Sequence, residues 1–201
     1  MKHLKQALAL LLALLTISLL PAALAEETET FHAELYDPEA LLAAFQQLQA
    51  DNVLYADYPL VESDIDGSDA SMGVLAKYSV ANSSTALNYV TGRVTVFSDP
   101  MAEVLGTPPE RTQFVVSCID NGENGEWMYF TNMYGEALQL LTGDDTIQSW
   151  LVDQTINYLT AFSEADGHTK YKETYEGDGF TITFSDTIGG FAYSIDVTPA
   201  E

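Results

Sequence analysis

The oxygen-bearing side chains of Asp64-Ile65-Asp66-Gly67-Ser68-Asp69 recur at alternate positions, the spacing a hard cation asks of a loop. Calcium is therefore the candidate cofactor, with Asp64, Asp66, Ser68 and Asp69 as candidate ligands. The pattern is incomplete. Asp69 stands where such a loop needs a turning glycine, and Leu75 stands where a bidentate glutamate belongs. Asp120-Asn121-Gly122-Glu123-Asn124-Gly125 has the turning glycine, but Thr131 occupies its last ligand position. The bland reading of the two stretches is a solvated acidic loop and a hairpin turn.

Nucleophilic chemistry finds less support. No Gly-x-Ser-x-Gly elbow occurs. His32 lies in an acidic, polar stretch, and His168 follows a helix end, where an imidazolium meets the negative pole of the helix dipole. Cys118, the one cysteine, alternates with Phe114 and Val116 and reads as a small buried residue. No two His or Cys stand at zinc-ligand spacing. The acidic side chains could supply the paired carboxylates of a hydrolase, but no pair stands out, and Asp144-Asp145 reads as a helix cap. Gly122, Gly125, Gly189 and Gly190 fall in hairpin turns, so none cradles a phosphate at a strand-to-helix junction.

The aromatic residues offer a binding chemistry instead. Read as a strand, Glu126 to Asn132 places Trp127 and Tyr129 on one side and Met128 and Phe130 on the other. Flat rings on a sheet suit a sugar or the apolar side chains of a partner, so Trp127 and Tyr129 are the candidate ligand-binding residues.

These residues must be carried by elements that the hydrophobic period predicts. Asp37-Pro38-Glu39 opens a helix, and Leu41, Leu42, Phe45 and Leu48 give it one apolar face through about Ala50. Val53 to Tyr58 reads as a short strand. Two alternating stretches, from Gly73 to Val80 and from Tyr89 to Val96, predict an antiparallel hairpin with one wet face. Asp99-Pro100 opens a short helix. Arg111 to Ile119 is a further strand, returning through the Asn-Gly turn as Glu126 to Asn132, with Ala137 to Leu141 a lesser strand. Asp144-Asp145 precedes the longest helix, carrying Ile147, Trp150, Leu151, Tyr158, Leu159 and Phe162. Lys170 to Tyr175 reads as a strand. Phe180, Ile182 and Phe184, then Phe191, Tyr193, Ile195 and Val197, make the clearest hairpin. Strands that follow one another through short turns predict an α+β fold. We expect a largely antiparallel sheet of about 6–9 strands with two main helices packed on it and one short helix.

The chain's start predicts its address. Lys2, His3 and Lys5 precede an apolar run from Ala7 to Leu20, Pro21 breaks it, and Ala23-Leu24-Ala25 supplies small residues for a signal peptidase. The run of about 14 residues is short of the roughly 20 that a membrane span needs. The expectation is a secretory signal peptide at residues 1–25, cleaved between Ala25 and Glu26, an acidic arm at 26–35 and a single domain at 36–198. No stable membrane anchor is expected after cleavage. Lys77, Arg93, Arg111, Lys170 and Lys172 are then the five basic residues left against 30 acidic ones, a net charge of −25. That charge excludes nucleic acid, whose phosphates would be repelled. The reading that unites these features is a secreted acidic, non-catalytic binding module for a protein or glycan. The alternatives are a calcium-binding extracellular domain and a carboxylate-dependent hydrolase.

Overall fold

Among the described residues, seven strands form one antiparallel sheet in the order β1-β2-β3-β4-β7-β6-β5. They are β1 (Leu60–Glu62), β2 (Val74–Val80), β3 (Val90–Ser98), β4 (Glu110–Cys118), β5 (Lys172–Glu176), β6 (Phe180–Asp186) and β7 (Ala192–Pro199). The helices are α1 (Pro38–Asp51), α2 (Gly67–Ser71), α3 (Trp127–Thr142) and α4 (Ile147–Glu164), with a 3-10 turn at Ala33–Tyr36. The computed structural model describes residues 31–80, 90–98, 104, 110–119, 123, 125–165, 169–187 and 190–200. The leader, the arm before Phe31, the short helix opened by Asp99-Pro100, most of the Asp120–Gly125 turn and His168 lie outside them. Among the described residues no helix is long and apolar enough to cross a membrane.

Strand alternation divides the sheet into two unlike faces. On one, the register aligns Tyr78, Val94, Phe114, Ile195 and Phe184 across five strands. The neighbouring row runs Ala76, Val96, Thr112, Val197 and Ile182. Every one of these residues is buried, and each large apolar side chain contributes roughly 1.5–3 kcal/mol. The three long helices lie over this face. Tyr134 of α3 packs against Phe114 and, edge-on, Phe45 of α1, while Tyr158 of α4 meets Phe184, Phe191 and Tyr193. Polar groups carried into this layer find partners in part; the Tyr36 and Tyr134 hydroxyls are buried without a hydrogen bond among the described residues. Tyr158 donates to the Ala192 carbonyl over 2.9 Å, and the Thr131 and Tyr193 hydroxyls share a hydrogen bond.

The helix starts follow their chemistry. Asp37 caps α1 by accepting from the Glu39 amide, with Pro38 in the first turn. Gly143, at φ 74°, ends α3 in the left-handed conformation a side chain would resist. Gly135 lets α3 and α4 cross closely, since a Cβ there would lie 2.7 Å from the Gln148 Cα. The Gln148 side chain donates to Asn132 at the same crossing.

Several expectations are corrected. Glu126 to Asn132 and Ala137 to Leu141 are not strands; they lie at and within α3, so three long helices cover the sheet instead of two. Its buried residues Trp127, Phe130, Thr131, Tyr134 and Leu138 repeat at three and four, a helical period. Their neighbours are apolar too, which masks the period in a short window. Val53 to Tyr58 is a pair of turns, closed by the Tyr55 amide on Asn52 and the Tyr58 amide on Tyr55. Leu35, assigned to the arm by the sequence, is fully buried, and its carbonyl accepts from Thr112 of β4.

Candidate functional site

The other face of the sheet carries polar side chains. One row aligns Lys77, Thr95, Gln113, Asp196 and Thr183; the next aligns Ser79, Arg93, Val115, Ser194 and Ser185. Arg111 on β4 stands opposite Phe97 on β3 and holds its guanidinium 4.2 Å from that ring's centre. Lys172 pairs with Ser185 and extends the Arg93 row onto β5. Four of the five cationic residues that follow the predicted leader therefore occupy one face, although they come from four strands.

Two shallow hollows lie on this face and share Arg93. One, of about 270 Å³, is bounded by Lys77, Arg93, Thr95, Phe97, Arg111 and Gln113, with Asp69 at its rim. The other, of about 290 Å³, is lined by Ser79, Thr91, Arg93, Val115 and Ser117.

The charges in the first hollow are partly matched. Lys77 Nζ donates to Asp69 Oδ2 over 2.9 Å. Lys77 foremost, then the Asp66 amide, holds the Asp69 carboxyl below its ordinary range. Asp196 accepts from Gln113 at 2.9 Å and from Ser194 at 3.1 Å, and lies 3.8 Å from Arg111 Nε. Arg93 is exposed and forms no ion pair among the described residues.

The structure places the proposed calcium ligands in and before α2. Asp66 is the N-cap of that helix and accepts from the Ser68 and Asp69 amides at 2.7 and 2.9 Å. Asp69 returns the contact by accepting from the Asp66 amide and also holds Lys77. This is a capping box, with an ammonium already on one carboxylate. Asp64 is exposed just ahead of it. Among the described residues, no group of three or more His, Cys, Asp or Glu side chains is placed to hold a metal ion.

Trp127 and Tyr129 do not form a platform, which is a second correction. Two residues apart on a helix, they point to different sides. Trp127 is buried with its ring 5.7 Å from that of Phe191. Tyr129 is 39% exposed and stacks on Tyr58 at 5.9 Å. Cys118 is buried, and His32 packs edge-on against Phe180. Asp144 does not cap α4 directly. It accepts from the Thr146 amide and hydroxyl and from the Tyr175 hydroxyl, tying the start of α4 to β5.

The sequence reading missed the cationic face, yet a signal was present. Alternation puts Lys77 and Arg93 opposite the apolar residues of their own strands. Only the register shows that those positions, with Arg111, meet on one surface. The fold and site thus define an α+β protein with one helix-covered sheet face and one polar, cation-bearing face. No protein-family model, no curated protein and no solved structure matches the chain.

Proposed function

We propose that the protein is an exported, non-catalytic binding module that meets its partner, a protein or a glycan, through the open sheet face. The placement of Lys77, Arg93 and Arg111 on three adjacent strands carries this reading. A chain with 30 acidic residues and five basic ones after its predicted leader gains nothing in solubility by gathering its cations. Gathered cations, with hydroxyl and amide groups between them, supply attraction and hydrogen-bond donors at one place. The leader pattern supports export, and an extracellular setting supplies glycans and protein surfaces as partners.

The test screens the mature protein against arrays of glycans and extracellular proteins, using wild type, Arg93→Gln on the sheet face and Ile156→Glu on α4. Ile156 is 44% exposed. The expected result is a ligand whose signal is lost with Arg93→Gln and kept with Ile156→Glu. Loss with Ile156→Glu alone would move the surface to the helices. Release of cleaved product from a glycan would replace the binding module with a hydrolase.

A further inference from the structure

We propose that the Arg93 hollow binds the carboxylate of an acidic sugar, a uronate unit within an extracellular polysaccharide. The proposal rests on the open sheet face being the binding surface and names its ligand. The net charge repels a long polyanion at range, so the anion is selected by the local charge of this face, felt within the roughly 10 Å that salt leaves unscreened. Lys77, Arg93 and Arg111 bring three positive charges, of which Asp69 and Asp196 match two. The remaining charge is Arg93's, and it suits a singly charged carboxylate better than a phosphate that carries close to two. Carboxylate is also the anion this surface already holds, twice, through Lys77 and Arg111. A guanidinium presents two parallel donors to such a group.

The floor around Arg93 suits the rest of a sugar. Thr95 and Gln113 lie in one hollow and Ser79, Thr91 and Ser117 in the other. Hydroxyls and an amide both donate and accept, as ring hydroxyls require. Phe97 adds an apolar ring at the margin. At about 270 and 290 Å³, the hollows are near the small end of the roughly 300–1,000 Å³ of ligand pockets. Each takes one sugar unit, and Arg93 stands between the two.

The experiment titrates tetragalacturonate into the mature protein at low salt, by calorimetry and by backbone amide shifts. Its fully methyl-esterified form, a sugar phosphate and hexaglutamate serve as comparisons. The expected result is that tetragalacturonate binds, with shifts on β2, β3 and β4. Esterification and Arg93→Gln should each weaken it at least tenfold, Arg93→Lys less, and Ile156→Glu not at all. Circular dichroism and melting confirm that the variants fold. Equal binding of the ester, or retention in Arg93→Gln, would overturn the proposal. So would tighter binding of the sugar phosphate, or of hexaglutamate, which would assign the face to phosphate or to an acidic peptide. No binding of tetragalacturonate by folded wild type would also overturn it. In that case the open-face reading still stands if Arg93→Gln abolishes an array hit, and falls with it if only Ile156→Glu does.

Discussion

Gly92 shows how one missing side chain positions the cationic face. It lies on β3 beside Arg93, and its open side faces α3. A Cβ there would collide with the Phe130 ring and the Tyr134 hydroxyl. Both rings are buried at 1% exposure or less, so neither has room to retreat. Gly92→Ala is expected to destabilise by about 1–3 kcal/mol, in the range of overpacked cores. Urea denaturation measures this directly, and an unchanged midpoint would show that α3 shifts freely. The residue scale also explains why Trp127 and Tyr129 were misread. Met128 and Phe130 fill the gaps between them, so four consecutive apolar residues show no period in so short a run. The preceding Asn-Gly pair then suggests a hairpin.

Among the elements, the strands with one wet face were readable from alternation alone. Phe180, Ile182 and Phe184 mark the buried side of β6 as plainly in the sequence as in the structure. Helix α1 was readable from its cap and apolar spacing. Strand order was not, because the sheet inserts β7 between β4 and β6, a choice made by long-range pairing. The tie between α4 and β5 was also invisible, since it joins Asp144 to Tyr175 across 31 residues. Burial opposes ionisation of Asp144, but the Tyr175 and Thr146 donors outweigh it and leave the carboxyl below its ordinary range. A depressed carboxylate contributes stability that is fully present above the unfolded value of about 3.9 and is lost as pH falls through the lower folded value. Tyr175→Phe is therefore expected to be less stable than wild type near pH 6, by about 1 kcal/mol. The deficit should shrink by pH 3 or below. Paired denaturation curves at the two pH values check the sign, and a deficit that widens on acidification would contradict it.

At the scale of the whole molecule, the 30 acidic residues far outnumber the basic ones. A net charge near −25 in the chain after its predicted leader repels itself at neutral pH, and salt screens that repulsion over about 10 Å. Raising sodium chloride from low concentration to about 0.5 M is expected to raise the melting temperature of the chain lacking residues 1–25 by several degrees. A flat or falling melting temperature would mean that local ion pairs, which salt weakens, outweigh the general repulsion. Acidic composition was readable at once, but its distribution was not, because the cations reach one face only through the register of four strands.

The same register bears on how a protease meets the chain. A trypsin-like protease cuts after Lys or Arg and must draw the chain, extended, into its own cleft. Arg93 is paired on both sides, Lys77 pairs with Thr95 while its carbonyl accepts from the Ser63 amide, Arg111 pairs with Phe97, and Lys172 lies on β5, paired with β6. Lys170 alone among the five precedes its strand. Such an enzyme therefore meets Lys170 ahead of its strand and Lys172 on the sheet's edge, while Lys77, Arg93 and Arg111 are held inside the sheet among the described residues.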